Sequence, residues 1–342
     1  MTDFLGEKRL LQPHLPLLIE AAINISLNTD LTFNVREVSI YFLEQIGDTF
    51  AKHLYKKHPA VLKQIIDAGF KLACEDDSEY PDEEESPHSL SLYMLHNFAI
   101  EVPLTVIYPV FKENIVLFCS HQSDPLVRKA GLKILGHLCD SDGLLDGVKE
   151  DIDLFTDILV AGMQDPSDIV REAAALVVGQ FSEHVVPDFL ERHAKIVPVL
   201  FKVLQDRQQI ATVSADHALH TEKAIYSVKE FIEQMHETEV KPYLETGLQM
   251  LMPYLLGANQ KRGVRYMTLL AVSSFITAAE REIMPHRDDI LKIIYEIVNS
   301  DQDQELKGAA LLCAGNLAQA CGKDNFPMDA LEAFTKFGLV CI

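Results

Sequence analysis

Four valine–arginine pairs punctuate the chain, at Val35-Arg36, Val127-Arg128, Val170-Arg171 and Val264-Arg265, and each opens an alanine- or leucine-rich run. Their arginines lie 92, 43 and 94 residues apart, so two intervals are close to twice the third. A unit of roughly 43 to 47 residues is the length of a two-helix HEAT or armadillo repeat, whose helices bury their apolar faces only by stacking on neighbouring repeats. The doubled intervals imply two further units beginning near His88 and Thr221, where helical patterns do start.

The period predicts an all-α solenoid of HEAT repeats: about seven antiparallel helix pairs plus a terminal helix, in a right-handed superhelical arc. Residues 1–342 are expected to form a single array, part of a longer solenoid, because neither end carries a polar capping repeat. First helices (A) are expected near 13–28, 59–73, 104–121, 148–163, 187–205, 240–256, 284–299 and 328–340. Second helices (B) are expected near 33–54, 89–101, 126–139, 169–184, 215–235, 261–280 and 305–321. Asp124-Pro125 and Asp165-Pro166 stop an A helix and turn tightly into B, since proline disfavours helical geometry in the residue before it.

Three stretches depart from the pattern. Residues 75–87, with EDDSEYPDEEE at their head, are too acidic and too poor in apolar groups to fold, and a disordered loop is expected. Residues 140–147 (DSDGLLDG) lack the closing glutamate of a calcium-binding loop and read as an inter-repeat turn. Residues 206–214 lengthen one A-to-B connection.

Charge narrows the function. A formal net charge of −21 repels phosphate backbones and attracts basic proteins, which disfavours direct nucleic-acid binding. Six scattered cysteines, without a CxxC pair, read as reduced core thiols. No apolar run reaches the ~18 residues needed to span a bilayer, and no secretory leader pattern opens the chain, so a soluble protein is expected, with no membrane partner. P-loop, dinucleotide-binding, nucleophile-elbow and zincin patterns are absent, so no catalytic site and no cofactor is assigned. Asp216, His217, His220 and Glu222 crowd the head of one B helix. They read as an ordinary polar helix start, and no metal site is assigned.

Laying the B helices on Arg171 aligns their faces. Offsets seven (Leu43, Leu95, Leu135, Val178, Val228, Val272, Ala314) and ten (Ile46, Phe98, Leu138, Phe181, Phe231, Phe275, Leu317) are apolar throughout and should face the core. Offset nine (Gln45, Asn97, His137, Gln180, Glu230, Ser274, Asn316) is polar throughout. Offset twelve is mostly acidic or polar, and offset five carries Tyr41, Tyr93 and Tyr226 beside three leucines. Offsets five, nine and twelve share a helix face, which predicts an acid-rich inner surface set with tyrosines. Tyr226, Glu230 and Glu233, with Gln180 and Glu183 from the preceding repeat, are the candidates for surrounding a lysine ammonium. Glu222 is a neighbour, and Tyr93 and Asn97 form a second, weaker group.

The runs DPSDIVREAAALVVGQFSEHV (residues 165–185), ALHTEKAIYSVKEFIEQM (218–235) and VKPYLETGLQMLMPYLL (240–256) resemble the middle of a karyopherin-β nuclear transport receptor, most of all the importin-4 class. His96-Asn97-Phe98-Ala99 after an acidic stretch fits the same likeness, which covers nearly the whole chain. It implies a non-enzymatic import receptor that shuttles between cytoplasm and nucleus and binds basic cargo, such as core histones and ribosomal proteins, on its inner wall. It also implies nucleoporin phenylalanine–glycine repeats on the outer A helices and displacement of cargo by Ran-GTP, through amino-terminal repeats expected to lie outside this stretch. The competing reading is a HEAT scaffold that assembles another complex, such as a phosphatase, through its inter-repeat loops.

Overall fold

The computed structural model describes residues 8–76, 86–139, 144–208, 215–256, 261–300 and 303–340, and every regular element among them is helical. Fifteen helices carry the repeats. The A helices are α1 (Leu15–Ser26), α3 (Pro59–Leu72), α5 (Leu104–Cys119), α7 (Ile152–Met163), α9 (His193–Gln208), α11 (Glu237–Leu256), α13 (Arg287–Ser300) and α15 (Met328–Val340). The B helices are α2 (Phe33–Lys57), α4 (Pro87–Glu101), α6 (Pro125–Cys139), α8 (Asp168–His184), α10 (Ala215–Glu233), α12 (Arg262–Ala279) and α14 (Gln304–Cys321). Seven pairs and a terminal helix make an all-α HEAT solenoid.

The chain divides into two compact units, Met1–Ala174 and Ala175–Ile342, with the boundary inside α8. In the first unit α2, α4 and α6 pack successively, each backed by A helices; in the second, α10, α12 and α14 do the same. The aligned apolar rows form the core. Every residue at offsets seven and ten is buried, and burying one such large side chain stabilises by about 1.5 to 3 kcal/mol. Phe189 stands edge-on between Phe181 and Phe231, with ring centroids 5.1 and 5.7 Å away, and so links α8 to α10.

The repeated arginine explains the joints. Arg36 Nε donates to the Ser26 carbonyl (2.8 Å), Arg128 Nη1 to that of His121 (2.9 Å) and Arg171 Nη1 to that of Asp165 (2.6 Å). Each carbonyl closes the A helix of the same pair, where no intrahelical donor remains. Arg36 and Arg128 also reach the end of the following A helix, pairing with Glu75 and with both Asp165 oxygens. At the first of the units without arginine, buried His88 takes over: its Nδ1 donates to the Ala73 carbonyl (2.6 Å). Its Nε2 accepts from Lys133 Nζ (3.0 Å), which fixes the tautomer.

The departures resolve unevenly. Residues 77–85 of the expected acidic loop lie outside the described residues, while its flanks are built in: Glu75 pairs with Arg36, and Ser86 caps α4 in a reciprocal capping box with Ser89. Residues 140–143 and 209–214 also lie outside. The expected plain turn after α6 gives way to a short helix, Leu145–Glu150, because Leu144 and Val148 are fully buried.

Candidate functional site

The residues expected to surround a lysine fall on two neighbouring B helices of the second unit. Helix α8 contributes Gln180 and Glu183, and α10 contributes Tyr226, Glu230 and Glu233. Their approach depends on Gly179: a Cβ there would stand 3.0 Å from Tyr226 Cε1 and 3.5 Å from the Ser227 Cα. Glycine therefore lets the half-buried tyrosine ring lie flush on the preceding helix. Glu183 is half exposed and lies 3.9 Å from His184 Nε2.

Offset nine is not the open face that the sequence suggests. Glu230 and Ser274 are buried and Gln180, Asn97 and Asn316 half-buried, because each lies in the seam where one B helix meets the next. Asn316 Nδ2 donates to Ser273 Oγ (2.6 Å) and Asn97 Nδ2 to Glu44 Oε1 (3.0 Å), so this polar row bonds across the seam. Offset twelve is the exposed row, with Asp48, Glu183, Glu233, Thr277 and Gln319 all open to solvent. At offset five Leu176 and Leu270 are half-buried, whereas Leu312 is exposed.

Glu230 and Glu233 have a partner that the sequence reading passed over. Lys229 Nζ lies 2.8 Å from Glu230 Oε1 and 2.8 Å from Glu233 Oε2. Burial works to lower the Lys229 pKa, but its bonds to both carboxylates outweigh that and raise it above the ordinary lysine value. Ser274 Oγ adds a donor to Glu233 Oε2 at 3.3 Å. The Lys229–Glu233 spacing of four was the available signal, since such residues are neighbours on a helix. Glu222 is turned elsewhere. Its carboxylate fills the space that a Cβ on Gly263 would need, at the start of α12, where helix-end N–H groups favour an anion.

In the first unit, Tyr93 is 55 % exposed and Asn97 is tied to Glu44. Burial and the nearby Asp48 raise the Glu44 pKa, and the Asn97 bond partly offsets them. This group offers an aromatic face with one carboxylate held in place. On the A side, α5 and α7 flank a cavity of about 330 Å³ lined by Val116, Cys119, Leu154, Ile158 and Ala161. Burial pushes the Cys119 thiol up to about 12, which keeps it protonated and unreactive. Among the described residues, no three His, Cys, Asp or Glu side chains are placed to hold a metal ion, and no helix is long and apolar enough to cross a membrane.

Comparison with known proteins agrees with this architecture. Residues 155–185 match the HEAT repeat. The chain is 22 % identical over 268 residues to the probable importin subunit beta-4 of Schizosaccharomyces pombe, covering 77 % of this chain and 24 % of that protein. It is 26 % identical over 247 residues to human importin-4, covering 71 % of this chain and 22 % of that one. The chain thus spans about a quarter of the length of these relatives. Its fold superposes on the crystal structure of Kap121p with a TM-score of 0.83 at 18 % identity, over 98 % of this chain and 32 % of Kap121p. The same karyopherin bound to Nup53p and to Pho4p matches at 0.82, at 18 % identity over 96 % of this chain and 32 % of that one.

Proposed function

Taking the chain as a relative of the karyopherin-β importins of the importin-4 class, we propose that it is a segment of a nuclear import receptor that binds basic, lysine-rich cargo on its B-helix face. Core histones and ribosomal proteins have the required chemistry, and a receptor of this kind shuttles between cytoplasm and nucleus. The observation that carries the reading is Glu230 and Glu233 on the same helix as Tyr226, whose ring packs on α8 at Gly179, one turn before Glu183, in a chain of net charge −21. An ammonium entering there meets carboxylates on two helices and an aromatic face, and the chain's long-range field draws it in.

Titrating a labelled lysine-rich histone-tail peptide tests this. Affinity should fall steeply with added salt, since exposed charges are screened beyond about 8 to 10 Å at physiological ionic strength. Glu230→Lys should weaken binding by about tenfold, as expected for reversing one charge at a contact. Unchanged affinity in a folded Glu230→Lys protein removes this site from the account.

The α5–α7 cavity favours a second contact. Largely apolar, with Asp157 and Asp165 also in its lining, about 330 Å³ and set between two A helices, it suits a phenylalanine side chain from a nucleoporin repeat. Ile158→Asp should abolish binding of a phenylalanine–glycine peptide and leave the histone-tail titration unchanged.

A further inference from the structure

We propose that Lys229 is an internal occupant of the lysine site, so that cargo binds by displacing it and Lys229 sets how much positive charge a cargo must present. The inference rests on the cargo reading above and adds a gate to it. The Lys229 ammonium bridges Glu230 Oε1 and Glu233 Oε2 at 2.8 Å each, which is the arrangement that an incoming lysine would adopt. Among the described residues, no other cation lies within ion-pair distance of either carboxylate. The Lys229 side chain is 22 % exposed and that of Glu230 only 11 %. The inner carboxylate is thus largely shut off from solvent while the ammonium over it still has a way out.

Two ammonium groups cannot share these oxygens without like-charge repulsion, so entry requires the flexible Lys229 stem to swing aside. A cargo that offers one lysine then exchanges one ion pair for another and gains little. A cargo that offers several also engages Glu183, 51 % exposed and without a lysine or arginine partner among the described residues, and keeps that added attraction. Lys229 therefore works as a filter for charge density: it suppresses stray single lysines at small cost to lysine-rich segments.

The test compares the unmodified chain with Lys229→Gln and, as a control for bulk charge, Lys241→Gln, which removes an exposed lysine paired with Glu282. Each is titrated at fixed ionic strength with a peptide carrying several lysines and with the same peptide reduced to one. Lys229→Gln should tighten both complexes, the single-lysine one by about three- to tenfold and the other by less, so the preference for the lysine-rich peptide narrows. Lys241→Gln should leave both nearly unchanged. Equal effects of the two variants, or weaker binding in Lys229→Gln, overturn the gate. If neither peptide binds any of the three proteins, the cargo reading falls and the gate with it.

A second measurement needs no charge removal. In the unmodified chain carrying ¹³C-labelled lysine, the Lys229 ε-methylene resonance, identified by its loss in Lys229→Gln or Lys229→Arg, should move to the free-lysine position as peptide saturates. A resonance that stays in place while the peptide binds overturns the proposal.

Discussion

Asp165 holds three contacts at once. Its carboxylate receives Arg128 on both oxygens at 2.7 and 2.9 Å and the Ser167 N–H at 2.8 Å, and its carbonyl receives Arg171. The Arg128 and Asp165 side chains are only 13 % and 10 % exposed, so removing one partner strands the other. Asp165→Asn should therefore destabilise by about 3 kcal/mol, read from denaturant unfolding at neutral pH. Burial alone raises the Asp165 pKa, but the Arg128 and Ser167 bonds outweigh it and hold the carboxyl below its ordinary value. A lowered folded-state pKa contributes stability above the unfolded value of ~3.9, and that contribution disappears as pH falls through the folded one. The gap between wild type and Asp165→Asn should accordingly be full above pH ~5 and close in stronger acid; a pH-independent gap would place the stabilisation elsewhere.

At the level of helices, glycine shows how context sets the sign of one substitution. A Cβ on Gly247 in α11 would stand 2.3 Å from Phe275 Cζ in α12, inside the core, while a Cβ on Gly315 in α14 meets nothing within 4 Å. Gly247→Ala should lower the melting temperature, since forcing a methyl into a packed core costs about 1 to 3 kcal/mol. Gly315→Ala should raise it, gaining about 0.5 to 1 kcal/mol of helix propensity. Scanning calorimetry of the pair reads both directions. The helices themselves were legible in the sequence because their period and apolar rows are properties of single elements: Val178 and Phe181 announce a buried face without reference to any neighbour. The seam between B helices was not. Alignment marked Glu230 and Asn97 as polar, but which residues a neighbouring helix covers depends on packing, and so their burial and the Asn97–Glu44 bond appeared only with the fold. Lys229 escaped for a related reason: read as one helix face, its carboxylates seem open to a partner, when their nearest cation is the adjacent residue.

For the whole molecule, 51 acidic residues against 30 basic ones make self-repulsion a standing cost of compactness. Moderate sodium chloride should therefore raise the melting temperature even as it weakens peptide binding, and a fall in both would show that the ion pairs outweigh the net charge. The joints within repeats, where an A helix turns into its B helix, are insulated from a different kind of change. Arg36, His88, Arg128 and Arg171 all grip main-chain oxygens, those of Ser26, Ala73, His121 and Asp165. Four unlike residues supply the same acceptor, because the acceptor belongs to the backbone. Sequence drift at positions 26, 73 and 121 therefore leaves the grip intact, and no correlated substitution is needed to preserve it. Methods that infer contacts from co-varying residue pairs would be blind to these joints, although they tie successive helices together.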